Sequence, residues 1–448
     1  MRKVEGCSSG GFASAINCFS FSLNSSTLQL RMRVLSALLL FATSSTAVSA
    51  APPPPSVAEL ALLTDAAAND GAVFLDGSPA ARYIVKGDPA RWLIYQQGGG
   101  WCSSMADCAS RANSTLGSSK NYPATSKTVM SENGYLSNDP STNPLFATWT
   151  RVYLPYGDGT SQLGDVSDPV VVTPGAPPIY FRGARVLRAM IDFLRAEGLA
   201  DATEVVITGC SAGGLSTYAH ADTWAAALPK ARVVAMPDSG FFLNYAAVGV
   251  SPTFPQRMNW TFVNANVSGG GLLSPKCTAA HPGEEWLCMF AENLAPTMTT
   301  PTFALQSIYD SYQIGSILHA NASDAAAVNA YGAILQSRLH AALLSNSKNG
   351  AAIDACYHHC GANSWANIAF AGIDFDHTQG EAFASWCIGR HPPFRPLPLS
   401  CALTPSPTTL PPHSPQIRYS GSDACEASKN LCEQQAAYPC AACCNSPQ

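Results

Sequence analysis

The chain has 448 residues, 47% of them hydrophobic and 12% charged, with a formal net charge of −5. That is enough apolar material for a sizeable core and argues against wholesale disorder. The slightly acidic balance, with no basic stripe, excludes a nucleic-acid partner.

The first 50 residues stand apart from the rest. Arg31-Met32-Arg33, the apolar run VLSALLLFA and the small-residue stretch TSSTAVSA ending at Ala50 form a secretory signal, with the residues before Met32 an upstream extension. No other stretch is long and apolar enough to span a bilayer, so stable membrane insertion is not expected. APPPPS after Ala50 is an extended spacer. Sixteen cysteines are scattered along the chain and read as disulfides of an oxidising compartment, with pairing left open. Sequons at Asn113, Asn259, Asn266 and Asn321 point to solvent-facing loops. These features predict a secreted, extracellular protein. The expected organisation is a signal over 1–50, a catalytic domain over 51–390, a Pro/Ser-rich linker over 391–424 and a Cys-rich tail over 425–448.

In chain order, residues 55–75 read as an amphipathic helix or a loose lead-in. ARWLIYQQ (90–97) and TWTRVYLPY (148–156) are strand candidates, separated by a polar loop tied by Cys102 and Cys108. Apolar spacing over 181–198 predicts a helix capped by Gly198. TEVVITG (203–209) is a strand, 215–228 a helix and 231–240 another strand. Residues 241–300 read as irregular, 302–318 as a strand start followed by helical spacing, and 323–345 as an Ala-rich helix. The alternation predicts an α/β fold: a mainly parallel sheet with helices on both faces.

Gly209-Cys210-Ser211-Ala212-Gly213 matches G-x-S-x-G between a strand and a helix, the setting of a nucleophile elbow. A serine nucleophile needs a base, and the base needs an orienting acid, in the chain order Ser, acid, His. His358 and His359 lie in a loop-like stretch flanked by Cys356 and Cys360; spacing does not separate them, and His377 is a weaker rival. Asp310, after a short apolar run, and Asp354 are the candidate acids. Gly98-Gly99-Gly100 after the first strand fits an oxyanion loop working with the Ala212 N–H. Trp101 is either a wall of the substrate pocket or core. The cysteines and histidines of 356–360 lack zinc-like spacing, so neither metal nor cofactor is expected.

Taken together, GGGWC (98–102), ITGCSAGG (207–214), PDSGFF (237–242), QSIYDSYQ (306–313) and DACYHHC (354–360) resemble the pectin acetylesterase family, which also includes the animal carboxylesterase Notum. The resemblance implies a disulfide-decorated α/β-hydrolase-like fold with a serine triad of Ser211, Asp310 and His359 and oxyanion donors Gly99, Gly100 and Ala212. It also implies an acetylated cell-wall polysaccharide such as pectin as substrate, and location in the cell wall. The chain departs from the plant pattern at Gln96-Gln97 and at Gly157. Two alternatives stand beside this reading: a lipid or fatty-acyl esterase, favoured by a deep apolar tunnel, and a non-catalytic extracellular binding protein.

Overall fold

The computed structural model describes residues 57–126, 134–361, 369–370, 377–388, 424–426, 431–434 and 436–439. The signal segment and the linker through residue 423 lie outside the described residues.

Runs rich in Val, Ile, Leu and aromatic residues form most of the strands, and the central ones are buried on both faces, as parallel strands require. In chain order the strands are β1 (Ala58–Leu62), β2 (Ala81–Val85), β3 (Asp88–Gln96), β4 (Thr125–Ser126), β5 (Trp149–Leu154), β6 (Glu204–Cys210), β7 (Arg232–Asp238), β8 (Phe303–Ser307), β9 (Gly350–Asp354), the separate pair β10 (Ala369–Phe370) and β11 (His377–Thr378), then β12 (Ala424–Glu426) and β13 (Leu431–Glu433). Eleven of them make one sheet in the order β12-β13-β9-β8-β7-β6-β3-β5-β2-β1-β4. From β5 through β3, β6, β7, β8 and β9 to β13 every pairing is parallel. Both ends of the sheet are antiparallel.

The longer helices are α1 (Thr64–Asp70), α2 (Met105–Ala112), α3 (Gly183–Ala196), α4 (Ala212–Ala227), α5 (Phe254–Asn264), α6 (Ala325–Leu343) and α7 (Gln379–Ile388). Alternate residues of one strand feed two cores: Trp92 and Ile94 pack with Val186, Leu187, Met190 and Leu194 of α3, while Leu93 and Tyr95 face the other side. The predicted mainly parallel, doubly covered, disulfide-bearing α/β-hydrolase-like fold is what the chain adopts.

Local readings differ in five places. Residues 58–62 are a strand, because their backbone completes the antiparallel edge with β2. The polar stretch after β3 contains α2, capped by the Ser104 side chain, which accepts from the Asp107 N–H at 3.1 Å; Cys102 and Cys108 are buried and unbridged. Residues 254–297 hold a series of short helices pinned by the Cys277–Cys288 disulfide. Asn259 lies half-buried within α5, whereas Asn113, Asn266 and Asn321 are exposed. Part of the Cys-rich tail joins the main sheet, where β13 runs parallel to β9. No helix among the described residues is long and apolar enough to cross a membrane.

Candidate active site

β6 ends at Cys210 and α4 begins at Ala212, so Ser211 occupies the turn between them. Its backbone sits at φ 62° and ψ −125°, a region non-glycine residues rarely adopt. Such strain lifts a serine hydroxyl off the sheet's carboxyl edge. The turn is fixed by the Ser211 N–H, which donates to the Asp238 carbonyl at 3.0 Å.

The glycine loop lies against this turn. A Cβ at Gly98 would come within 2.3 Å of the Cys210 carbonyl oxygen and 2.8 Å of Ser211 Cβ, so only glycine fits. Gly100 has φ +69°, in the left-handed region glycine favours. Arg111 Nη1 donates to the Gly99 carbonyl at 2.7 Å, and the Tyr156 hydroxyl donates to the Gly100 carbonyl at 2.8 Å. With both carbonyls occupied, the Gly99 and Gly100 N–H groups have no acceptor among the described residues. Ala212 is the first residue of α4, so its N–H is one of the donors a helix start leaves unpaired. Trp101 is 6% exposed; its ring stands edge-on to Phe242 and Phe254, and its Nε1 donates to Ser161 Oγ at 2.8 Å. Ser161 Oγ in turn donates to the Ala212 carbonyl at 2.8 Å, linking the loop to the elbow.

Asp310 follows β8 and is fully buried. Its Oδ1 accepts the Gln313 N–H at 3.0 Å, and its Oδ2 lies 2.8 Å from His359 Nδ1. That contact assigns the Nδ1–H tautomer and leaves Nε2 buried with no hydrogen-bond partner among the described residues. A buried, unpaired imidazole nitrogen is placed to accept a proton. Burial works against the imidazolium, but the Asp310 charge and hydrogen bond outweigh it, and the His359 pKa is raised above the ordinary histidine value. The Tyr312 ring stacks on His359 with centroids 5.3 Å apart.

The histidine segment is bound to the elbow from two sides. A disulfide joins Cys210, immediately before Ser211, to Cys360, immediately after His359, with Cα atoms 5.6 Å apart. At the end of β7, Ser239 Oγ accepts the Cys360 N–H at 2.9 Å and Asp238 accepts the Gly361 N–H at 2.8 Å. Asp238 is buried and also accepts from the Tyr135 hydroxyl at 3.0 Å. Cys356 is disulfide-bonded as well. Cys210, His359 and Cys360 bring three potential ligand atoms together, yet both sulfurs are spent in one bridge and neither is a thiolate donor.

His358 takes the other aspartate. Its Nε2 lies 2.9 Å from Asp354 Oδ1, and its pKa is raised to about 9: burial opposes the charge, and Asp354 more than compensates. Asp354 Oδ1 also accepts the Cys356 N–H at 3.0 Å, tying down the start of the loop. The His377 side chain lies outside the described residues. His220 is fully buried on α4 and bonded to the Ser161 carbonyl at 2.8 Å; burial pushes its pKa down to about 4, which keeps it neutral.

Ser211, His359, Gly98, Gly99, Gly100 and Trp101 line one open cleft of about 660 Å³, the size of a small-ligand site. Its remaining wall is mixed: Gln97, Ser103, Asp107, Arg111 and Arg257 beside Tyr95, Tyr312 and the Cys210–Cys360 bridge. Sequence reasoning did not single out Tyr312, Arg111, Arg257 or the Ser239 contact. Of these, only Tyr312 and Ser239 fell within stretches that carried the family resemblance, and nothing in the spacing marked them.

The Pectinacetylesterase family profile matches residues 54–404. Pectin acetylesterase 11 of Arabidopsis thaliana is 33% identical over 328 residues, covering 67% of this chain and 80% of that relative. The palmitoleoyl-protein carboxylesterase Notum of Homo sapiens is 28% identical over 262 residues, covering 53% of this chain and 49% of its own. A crystal structure of the Wnt deacylase Notum from Drosophila superposes with a TM-score of 0.62 at 25% identity, covering 73% of this chain and 92% of that one.

Proposed function

The chain belongs to the pectinacetylesterase family, and from that premise we propose that it is a secreted serine hydrolase that removes O-acetyl groups from an acetylated polysaccharide such as pectin. Membership carries the carboxylic-ester hydrolase activity common to pectin acetylesterases and Notum.

The observation that carries it is a histidine held by a buried aspartate through Nδ1, its Nε2 left without a partner among the described residues, in the lining of a cleft that also contains the strained Ser211. In the reaction, Ser211 Oγ attacks the acetyl carbonyl carbon while His359 Nε2 takes the hydroxyl proton. Asp310 holds the imidazole and stabilises the imidazolium that forms. The negative charge on the carbonyl oxygen meets the N–H groups of Gly99, Gly100 and Ala212. The C–O bond to the sugar breaks, and the sugar oxygen leaves with the proton from His359. Water then attacks the acetyl-serine with His359 as base, releasing acetate and restoring Ser211.

The open cleft, with charged side chains in its wall, supports a sugar ester over a long acyl chain, which would call for a deep apolar tunnel. The leader-like N-terminal segment and the cystines support action outside the cell. The test is acetate release from acetylated pectin, acetylated xylan and aryl acetates by the wild type and Ser211→Ala. The reading expects release from at least one polymer and a loss of roughly 10⁵-fold or more in the folded variant. Undiminished release by Ser211→Ala would refute it.

A further inference from the structure

The cleft holds two guanidinium groups, and the mechanism above uses neither for chemistry. Arg111 is accounted for: its Nε lies 3.3 Å from Asp107 and its Nη1 holds the Gly99 carbonyl. Arg257 is different. Among the described residues its guanidinium faces no carboxylate within ion-pair distance and makes one hydrogen bond, from Nη2 to the Ser316 carbonyl at 2.7 Å. Its Nε is buried with no acceptor. It also stands in the first turn of α5, after the Thr253 cap. A cation there opposes the helix dipole instead of complementing it.

The guanidinium charge is therefore left without a counter-ion among the described residues. What the surroundings do supply is orientation. The guanidinium lies over the Phe254 ring, 5.4 Å from its centroid, and the Ser316 carbonyl fixes one corner. Among the charges acting on the buried Tyr312 phenol, which stacks on His359, Arg257 is the largest after burial itself. An oriented guanidinium with spare donors, in the same cleft as Ser211, is built to take a carboxylate in a two-pronged contact.

Building on the proposed function, we propose that Arg257 reads a free carboxylate on the acyl-bearing sugar. The preferred substrate is then an O-acetylated uronate whose carboxyl is unesterified. Neutral acetylated sugars and methyl-esterified uronates leave the guanidinium unmatched in the cleft.

The experiment measures kcat and KM for the wild type, Arg257→Gln and Arg257→Lys on four substrates. These are acetylated polygalacturonate with free carboxyls, the same polymer methyl-esterified, acetylated xylan and 4-nitrophenyl acetate. For the wild type, methyl esterification should raise KM by about tenfold or more, as loss of a charge-assisted contact does. Arg257→Gln should raise KM on the acidic polymer by a similar factor, and its loss there should exceed its loss on 4-nitrophenyl acetate by about tenfold. Methyl esterification should then cost the variant little more, and Arg257→Lys should recover part of the preference. Equal losses of Arg257→Gln on all four substrates would overturn the proposal and assign Arg257 to structure alone. A wild type indifferent to methyl esterification would overturn it too, while leaving the esterase reading intact. A wild type inactive even on 4-nitrophenyl acetate would instead overturn the serine esterase reading, and this proposal with it.

Discussion

Two adjacent histidines rest on two buried aspartates at or just beyond the ends of neighbouring parallel strands, β8 and β9. The pairs are alike in distance, 2.8 and 2.9 Å, and both carboxylates are fully buried. They differ in which ring nitrogen is spent. His359 spends Nδ1 on Asp310 and keeps Nε2 for the cleft, whereas His358 spends Nε2 on Asp354 and keeps a buried, unpaired Nδ1 away from it. Proximity to an acid makes neither residue a base. The free nitrogen has to face the substrate, and the bridge of Cys360 to Cys210 holds His359 beside the elbow.

The sharpest way to break this comparison is to remove each partner in turn. His359→Ala and Asp310→Asn should each lower kcat on an aryl acetate by roughly 10³- to 10⁴-fold or more. His358→Gln should lose far less activity and show its main effect as a lower unfolding midpoint. Steady-state kinetics beside thermal denaturation checks both. Comparable activity losses at the two histidines would erase the distinction.

The clamp gives a smaller effect. Opening the bridge with Cys210→Ser or Cys360→Ser should cost on the order of 10² in kcat by loosening the serine–histidine geometry. Inhibitor titration of the active-site fraction separates this from simple unfolding.

The pH responses are the finest test. In the proposed mechanism His359 acts as a base when neutral, so the acid limb of kcat/KM should fall at an apparent pKa above the ordinary histidine value, about 6.5. His358 has a folded pKa of about 9, raised above its unfolded value of about 6.5. Its pair therefore contributes full stability below pH 6.5, and the contribution is lost as pH rises through about 9. Wild type should lose more stability across that window than His358→Gln, which keeps only the like-signed contribution of His359, as read from chemical denaturation at a series of pH values.

The same two regions mark how far the sequence could be read. The elbow was legible because everything that makes it lies in one stretch: a β-branched strand, a glycine on either side of Ser211 and a helix behind. The glycine loop was legible for the same reason, although its closest neighbour, Cys210, is far away in sequence. The histidine segment was not legible from spacing, because ring orientation depends on partners from β7, β8 and the elbow. Only the family resemblance separated His359 from His358, whereas the apolar run before Asp310 already leaned toward it over Asp354 and the resemblance then selected it. β9, with the sequence Gly350-Ala351-Ala352-Ile353-Asp354, has almost no β-branched signal and owes its state to neighbours on both sides. The short helices of 254–297 depend on local caps such as Thr253 and Ser274 and on one disulfide, below the length at which periodicity speaks.

The most direct measurement is covalent labelling with an organophosphate, followed by peptide mass spectrometry, on wild type and His359→Ala. The account predicts one adduct, on Ser211, formed rapidly in the wild type and lost or slowed by orders of magnitude in the variant. Folded wild type that stays unlabelled, or that is labelled at another serine, would contradict it.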